Sequence, residues 1–242
     1  MTDEQLQSNL LQVRARMTSA ATRYGRDPNA VHLLAISKGH PANALHCLAL
    51  QGQQDFGENY LQEALGKMRA LHDLPITWHY TGQLQSNKTR PVAEHFHWVH
   101  TVDRERIAMR LSEQRPDNVP SLNVCLQILL QEEPGKGGIP PSEAAGLAAQ
   151  VRALPRLKLR GLMCIPPASD DFQQQRDWFE QLASCMRELN SKGFELDTLS
   201  MGMSGDLEAA IAAGATWIRV GTALFGERKS QGSKVMGHGP EA

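Results

Sequence analysis

Several things are missing from this sequence of 242 residues. It has four cysteines, Cys47, Cys125, Cys164 and Cys185, with no CxxC spacing, in a chain far longer than disulfide-stapled scaffolds. A disulfide framework is excluded, and the four read as free thiols of a reducing compartment. No run approaches the ~20 apolar residues that a membrane span needs. The opening MTDEQLQSNLLQVRARM is acidic first and amphipathic later, without the basic start and apolar block of a secretion signal. A soluble cytoplasmic protein is the expectation. An excess of one charge is missing too: 25 Lys and Arg stand against 26 Asp and Glu, a net charge of −1. Nothing global draws the chain toward nucleic acid or an anionic membrane, so an anionic ligand needs a specific site. Internal repeats are absent as well.

What is present is alternation. Leu6, Leu10, Val13, Met17 and Tyr24 recur at helical spacing, with Thr2 and Gln5 placed to form a capping box, so an amphipathic helix opens the chain. Eight short apolar runs follow: HLLAIS (32–37), DFG (55–57), TWHYTG (77–82), WVHTV (98–102), LNVCLQILL (122–130), KLRGLMCI (158–165), TLSMG (198–202) and TWIRVG (216–221). Between them lie stretches rich in good helix formers, at 41–51, 59–71, 104–114, 142–153, 173–191 and 205–213. Strand and helix in turn demand parallel pairing with crossovers, and eight units can close into a (β/α)₈ barrel of the TIM type, commonly one domain of about 250 residues. With 41% hydrophobic residues the chain can fill one such core. An open doubly wound sheet is the competing architecture. The segment EEPGKGGIPP (132–141) reads as a turn-rich loop, and the tail from 229 to 242 as disordered, leaving 1–228 for the barrel.

In both architectures ligands bind beyond the carboxyl ends of the strands. Lys38 stands there, directly after LLAIS; partial desolvation would lower its pKa and free its amine to attack an aldehyde. A lysine snorkelling at the rim fits the position equally. SMGMSGDLEAAI (200–211) runs from a strand into a helix and places Ser204 and Gly205 at a helix amino terminus, while Gly221 and Thr222 follow the last strand. Loops after strands seven and eight are the usual phosphate position of such barrels, and closure would bring Lys38 alongside them. Arg219 shares strand parity with Gly221 and would face the same side; a structural ion pair with a carboxylate is the other reading. His95, His97 and His100 cluster in sequence, but no carboxylate or cysteine completes a metal-ligand set, so no metal is expected.

The segments AISK (35–38), FGENYLQEA (56–64), WHYTGQLQSNK (78–88), LRGLMCIP (159–166), SMGMSGDLEAAIAAG (200–214) and IRVGTALFG (218–226) resemble, in content and order, those of the pyridoxal phosphate homeostasis protein family, which is similar to the barrel domain of alanine racemase. The resemblance runs from about residue 5 to 228. It implies a fold type III barrel carrying an extra N-terminal helix and binding pyridoxal 5′-phosphate (PLP) as a covalent aldimine on Lys38. It further implies that Ser204, Gly221 and Thr222 hold the phosphate, Arg219 faces the pyridine nitrogen, Asn59 and Asn87 line the pocket and Met201 packs beside the ring. Lys136 matches a lysine that could be a second, transient acceptor; a solvated loop charge is the alternative. Gly39, His40, Leu129 and Gly205 depart from the family's usual residues.

The function implied is a carrier and regulator of intracellular PLP, monomeric, with PLP-dependent apoenzymes as recipients. An arginine at the pyridine nitrogen cannot accept a proton and weakens the ring as an electron sink. Racemases tolerate this but add a second base from a further domain, for which the barrel leaves little chain. Tyr60, Tyr80 and His79 are the nearest substitutes, and none has a spacing that argues for it. A PLP-dependent amino-acid racemase is the alternative, and a cofactor-free lysine aldolase a third.

Overall fold

The computed structural model describes residues 1–131 and 135–227; the tail expected at 229–242 lies outside the described residues. Eight parallel strands close into a barrel in sequence order, which settles the choice between barrel and open sheet. They are β1 (His32–Ile36), β2 (Asp55–Glu58), β3 (Thr77–Tyr80), β4 (Trp98–Val102), β5 (Leu122–Gln127), β6 (Leu157–Met163), β7 (Thr198–Ser200) and β8 (Trp217–Val220). The helices are α1 (Asp3–Arg23), α2 (Ala42–Leu50), α3 (Leu61–Ala70), α4 (Thr89–His95), α5 (Glu105–Gln114), α6 (Ala144–Arg152), α7 (Phe172–Ser191), α8 (Leu207–Ala212) and α9 (Thr222–Phe225).

Several strands end earlier than their apolar runs. β3 stops at Tyr80 rather than 82, β5 at Gln127 rather than 130, and β7 at Ser200 rather than 202. At these points the chain leaves the ladder to build the barrel's mouth, although Ile128 and Ile139 still form an isolated bridge. α4 was not evident in the sequence. It has seven residues with Pro91 in its first turn, where the missing N–H would have no intrahelical partner. α1 begins as its sequence suggests, with reciprocal hydrogen bonds between Thr2 and Gln5.

Alternation along the strands separates two apolar regions. The large one fills the space between barrel wall and helices, from Leu6 and Leu10 of α1 round to Phe179 of α7 and Ile211 of α8. The small one, Trp98, Cys125 and Met163, lies within the barrel, where the rest of the filling is unusually polar. Two glycines fix the mouth. Gly202 has φ +92°, and a Cβ there would sit 2.4 Å from that of Ala210, so only glycine turns β7 toward α8. Gly82 lets the chain after β3 meet the Asn59 backbone, since a Cβ would fall 2.3 Å from the Asn59 carbonyl oxygen.

Candidate functional site at the barrel mouth

Closure aligns Leu34 with Arg219 and Ala35 with Val220, so the turn after β1 lies against the turn after β8. Between them opens a cavity of ≈ 340 Å³ lined by Ile36, Lys38, Asn59, Thr81, Ile165, Met203, Ser204, Gly205, Arg219, Gly221 and Thr222. Lys38, Asn59, Ser204, Arg219, Gly221 and Thr222 are therefore brought together. Met201 and Asn87 are not on the lining. Ser200 points into the barrel, so Met201 packs outward, fully buried in the core, and Met203 occupies the cavity position two residues on. Asn87 is exposed in a 3₁₀ turn, Ser86–Lys88, and Thr81 at the end of β3 stands in the wall instead. A wider groove of ≈ 780 Å³ lies between α1 and the start of α7, but its Arg16 is already bonded to Glu208 and to the Ser204 carbonyl.

Beneath the Lys38 turn is a buried charge cluster that the sequence reading missed. The Lys67 ammonium of α3 donates to the Ser37 carbonyl at 2.6 Å, to Glu58 Oε1 at 2.5 Å and to Glu63 Oε1. Ser37 Oγ donates to Glu58 Oε1 at 2.6 Å, and the Gly39 amide to Glu63 Oε1 at 2.7 Å. Residues 37 and 39, on either side of Lys38, are thus tied to α3. Gly39 has φ +78°, a conformation that costs a side chain strain and suits the glycine found here. Glu58 is fully buried; burial pushes its carboxyl up, and Lys67 and Ser37 pull it back. The available signal was a lysine on the buried face of α3, in register with Leu61 and Ala64.

The opposite wall is a pair of turns, 203–206 and 221–223, which give Met203, Ser204, Gly205, Gly221 and Thr222 to the lining. The Ala223 amide donates to Ser204 Oγ at 3.4 Å, linking the two turns. α1 holds both from outside: Asn9 Nδ2 donates to the Leu224 carbonyl at 2.9 Å, and Arg16 to the Ser204 carbonyl at 3.2 Å. The ring of His40 stacks on Phe225 at 4.9 Å, so the Lys38 turn also touches α9.

Arg219 is buried and forms no carboxylate ion pair among the described residues. Its guanidinium donates to the Ser200 carbonyl at 2.5 Å, to Ser200 Oγ at 3.0 Å and to the Cys164 carbonyl at 2.8 Å. Behind it a hydrogen-bonded row continues through the barrel. Ser200 Oγ lies 2.8 Å from His100 Nδ1, His100 Nε2 lies 2.9 Å from His79 Nδ1, and His79 Nε2 lies 3.0 Å from Asp55 Oδ1. Trp98 and Trp217 pack on His79. Burial holds both histidines well below the usual imidazole value, so the rings are neutral.

Neither Tyr60, Tyr80 nor His79 lines the cavity: Tyr60 is exposed, Tyr80 donates to the Gln83 carbonyl, and His79 belongs to the interior row. The sequence cluster of histidines is dispersed, with His95 exposed, His97 Nδ1 accepting the Trp78 amide and His100 inside the barrel. Lys136 reaches the Pro166 carbonyl at 3.5 Å, outside the lining, and Leu129 is half-buried at the close approach of Gly138. Thr81, Ile165 and Met203 were within reach of sequence reasoning, since all three end or follow strands already identified.

The family model described as "Alanine racemase, N-terminal domain" matches residues 4–229. The chain is 56% identical over 220 residues to the pyridoxal phosphate homeostasis protein of Pseudomonas aeruginosa, covering 91% of this chain and 94% of that one. It is 51% identical over 223 residues to the protein of the same name from Escherichia coli, covering 91% and 95%. Among solved structures it resembles PipY of Synechococcus elongatus with PLP bound, at 40% identity and TM-score 0.77, over 87% of this chain and 100% of that one. Alanine racemase of Clostridium difficile, 14% identical with TM-score 0.71 over 94% of this chain and 58% of that one, shares the fold. The chain belongs to the pyridoxal phosphate homeostasis protein family, built on the barrel of the alanine racemase N-terminal domain.

Proposed function

We propose that this chain binds PLP in the cavity at the barrel mouth, retains it through Lys38, and acts in PLP homeostasis by holding and releasing it rather than by efficient catalysis. The observation that carries the reading is the donor set: among the described residues, Lys38 and Arg219 are the charged residues of the lining, Ser204 and Thr222 bring hydroxyls to it, and no carboxylate lines it. That set fits a small, strongly anionic molecule bearing a carbonyl, and the PLP bound in the PipY structure is of this kind. When bound, the cofactor supplies an aldehyde carbon that a primary amine captures reversibly.

Each residue has a distinct part. Lys38, half-buried on a turn tied from below by Lys67 and Glu63, would supply the amine for that carbon. Ser204, Thr222 and the amides of their turns would grip the phosphate, with Gly221 permitting the close approach. Arg219, held by three acceptors, would direct a remaining N–H toward the ring nitrogen and keep it from taking a proton. Asn59, whose Oδ1 accepts from Thr81 at 2.9 Å, is fixed as a lining group.

Among the described residues, none of Tyr60, Tyr80 and His79, the candidates for a second base on a substrate, lines the cavity, which favours storage and hand-over over racemisation. This carrier works as a cytoplasmic monomer, with PLP-dependent apoenzymes as recipients. No helix among the described residues is long and apolar enough to cross a membrane. Borohydride treatment of the PLP-loaded protein followed by peptide mass mapping tests the assignment. The label should sit on Lys38 and vanish, with the visible colour, in Lys38→Ala while the fold survives. A label on another lysine defeats the site, rapid turnover of any common amino acid in racemisation assays defeats the carrier role, and a colourless protein at saturating PLP would restore the aldolase reading.

A further inference from the structure

The row behind Arg219 has a direction. Arginine has donors only, so Ser200 Oγ accepts from it; an ionised Asp55 at the far end can only accept, which puts the proton of each neutral ring on Nε2 and makes Ser200 turn its own proton toward His100 Nδ1. A neutral His100 that accepts at Nδ1 carries its proton at Nε2 and donates to His79 Nδ1. His79, by the same logic, is protonated at Nε2 and donates to Asp55 Oδ1. Every proton in the row points away from the cavity, and the row ends on a carboxylate.

Asp55 opens β2 and lines a separate cavity of ≈ 340 Å³ at the barrel's amino-terminal face, formed with residues such as Asn29, His32 and Gln53. It lies at the end of the barrel away from Lys38, partly accessible to water, with its side chain 30% exposed. We infer that Asp55 is a remote positioning residue for Arg219: its carboxylate fixes the proton positions of His79, His100 and Ser200 and so sets the polarity of the acceptor against which the cofactor-facing guanidinium is held.

The argument rests on what each state of Asp55 permits. While ionised, Oδ1 can only accept, so both rings must keep their Nε2–H forms and Ser200 must donate outward, leaving its lone pairs to Arg219. Protonated at Oδ1, Asp55 donates instead. His79 and His100 then carry their protons at Nδ1, Ser200 Oγ receives two donors at once, and the net gain is one proton, resident on Asp55. Protonated at Oδ2, it leaves the row's direction intact but removes the charge at its end. In all cases the change is passed along neutral rings, because burial keeps an imidazolium from forming in the interior. Burial pushes the Asp55 carboxyl up to about 6, against the pull of His32 on β1 and His97 before β4. The change therefore falls near neutral pH. At the other end Arg219 is faced by Asp206, Cys125 and Cys164.

This rests on the PLP reading only for its consequence, and the test separates the two. In the ¹⁵N-labelled, cofactor-free full chain, NMR at pH 8 should show His79 and His100 each protonated at Nε2. Lowering the pH should move the nitrogen resonances of both rings with one shared midpoint near that of Asp55, without either ring gaining a second proton. Asp55→Asn, whose amide oxygen still accepts from His79, should abolish that transition at His100, two hydrogen bonds away. In the PLP-loaded protein the visible absorption should follow the same midpoint and lose it in Asp55→Asn. Ser200→Ala should lose it from the absorption while His100 still responds. An Nδ1–H form of His100 at pH 8, or His100 resonances that stay flat as Asp55 titrates, overturns the row. Absorption blind to Asp55→Asn while the rings respond overturns its link to Arg219. A missing Lys38 label defeats the carrier reading and leaves the NMR result standing.

Discussion

Replacing Lys67 by methionine tests the buried cluster under the Lys38 turn. Lys67 and Glu58 are 5% and 0% exposed, and the lysine supplies two of the cluster's three side-chain contacts to carboxylate oxygens. Methionine fills the stem's volume but leaves Glu58 with the Ser37 hydroxyl as its remaining donor. Glu58 Oε2 already lacks a protein partner. Breaking a buried pair from one side costs about 3–5 kcal/mol, because the surviving charge stays desolvated. Glu58 can escape by binding a proton, and this gives the loss a sign in pH. Its folded-state pKa, raised even in the presence of Lys67, rises further without it. The folded variant then binds more protons than the unfolded one between the ordinary glutamate value and the raised one, so its stability falls as pH increases, by about 1.4 kcal/mol per pH unit in that window.

Urea unfolding at pH 8 and pH 5 should therefore show a deficit near the full amount at the higher pH and a smaller one at the lower. Glu58→Leu added to Lys67→Met should recover most of it, since an apolar pair of similar volume carries no desolvation penalty. The Lys38 turn, released from its Ser37 anchor, should also capture PLP more slowly in the single variant. A variant within about 1 kcal/mol of wild type at pH 8, with a parallel pH profile, would refute the reasoning.

Two further outcomes follow from the opposite wall and the floor of the mouth. Thr222→Val and Ser204→Ala should each weaken PLP retention by about 1–2 kcal/mol, roughly five- to thirtyfold in Kd by equilibrium dialysis, as for lost hydrogen bonds to a charged group; unchanged constants would move the phosphate elsewhere. Gly202→Ala should cost about 2–4 kcal/mol in thermal or urea unfolding. It forces an L-residue to φ +92° and drives its Cβ into Ala210, and a neutral substitution would show that the turn can relax.

The fold was legible because its signals are local. Eight apolar runs separated by helix formers leave few arrangements, and the capping box at Thr2 marked α1 to the residue. α4 was missed because seven residues with a proline carry too little periodicity. For the candidate site, the strand-end rule pointed to Lys38, Ser204, Gly221 and Thr222 and parity to Arg219, and the structure gathers all five round one cavity. What it could not supply was the exit path of each strand. Met201 and Met203 differ only in which side of the wall they face after β7 ends, and Asn87 lies beyond a turn whose course depends on Gly82 meeting Asn59. The interior row was invisible for a different reason. His79, His100, Ser200 and Asp55 belong to four strands, and nothing in one-dimensional spacing says they meet.

The seam between first and last strands has a consequence for how the protein matures. Lys38 belongs to the early part of the chain and Thr222 to its final quarter, and they share one pocket only once β8 zips onto β1. On the proposed site, β8 must have left the ribosome before PLP has this pocket to sit in, so a half-made barrel would not sequester it. Once seated, a ligand touching both lips acts as a clasp across the last joint to form, making saturation with vitamer and resistance to unzipping the same quantity seen from two sides.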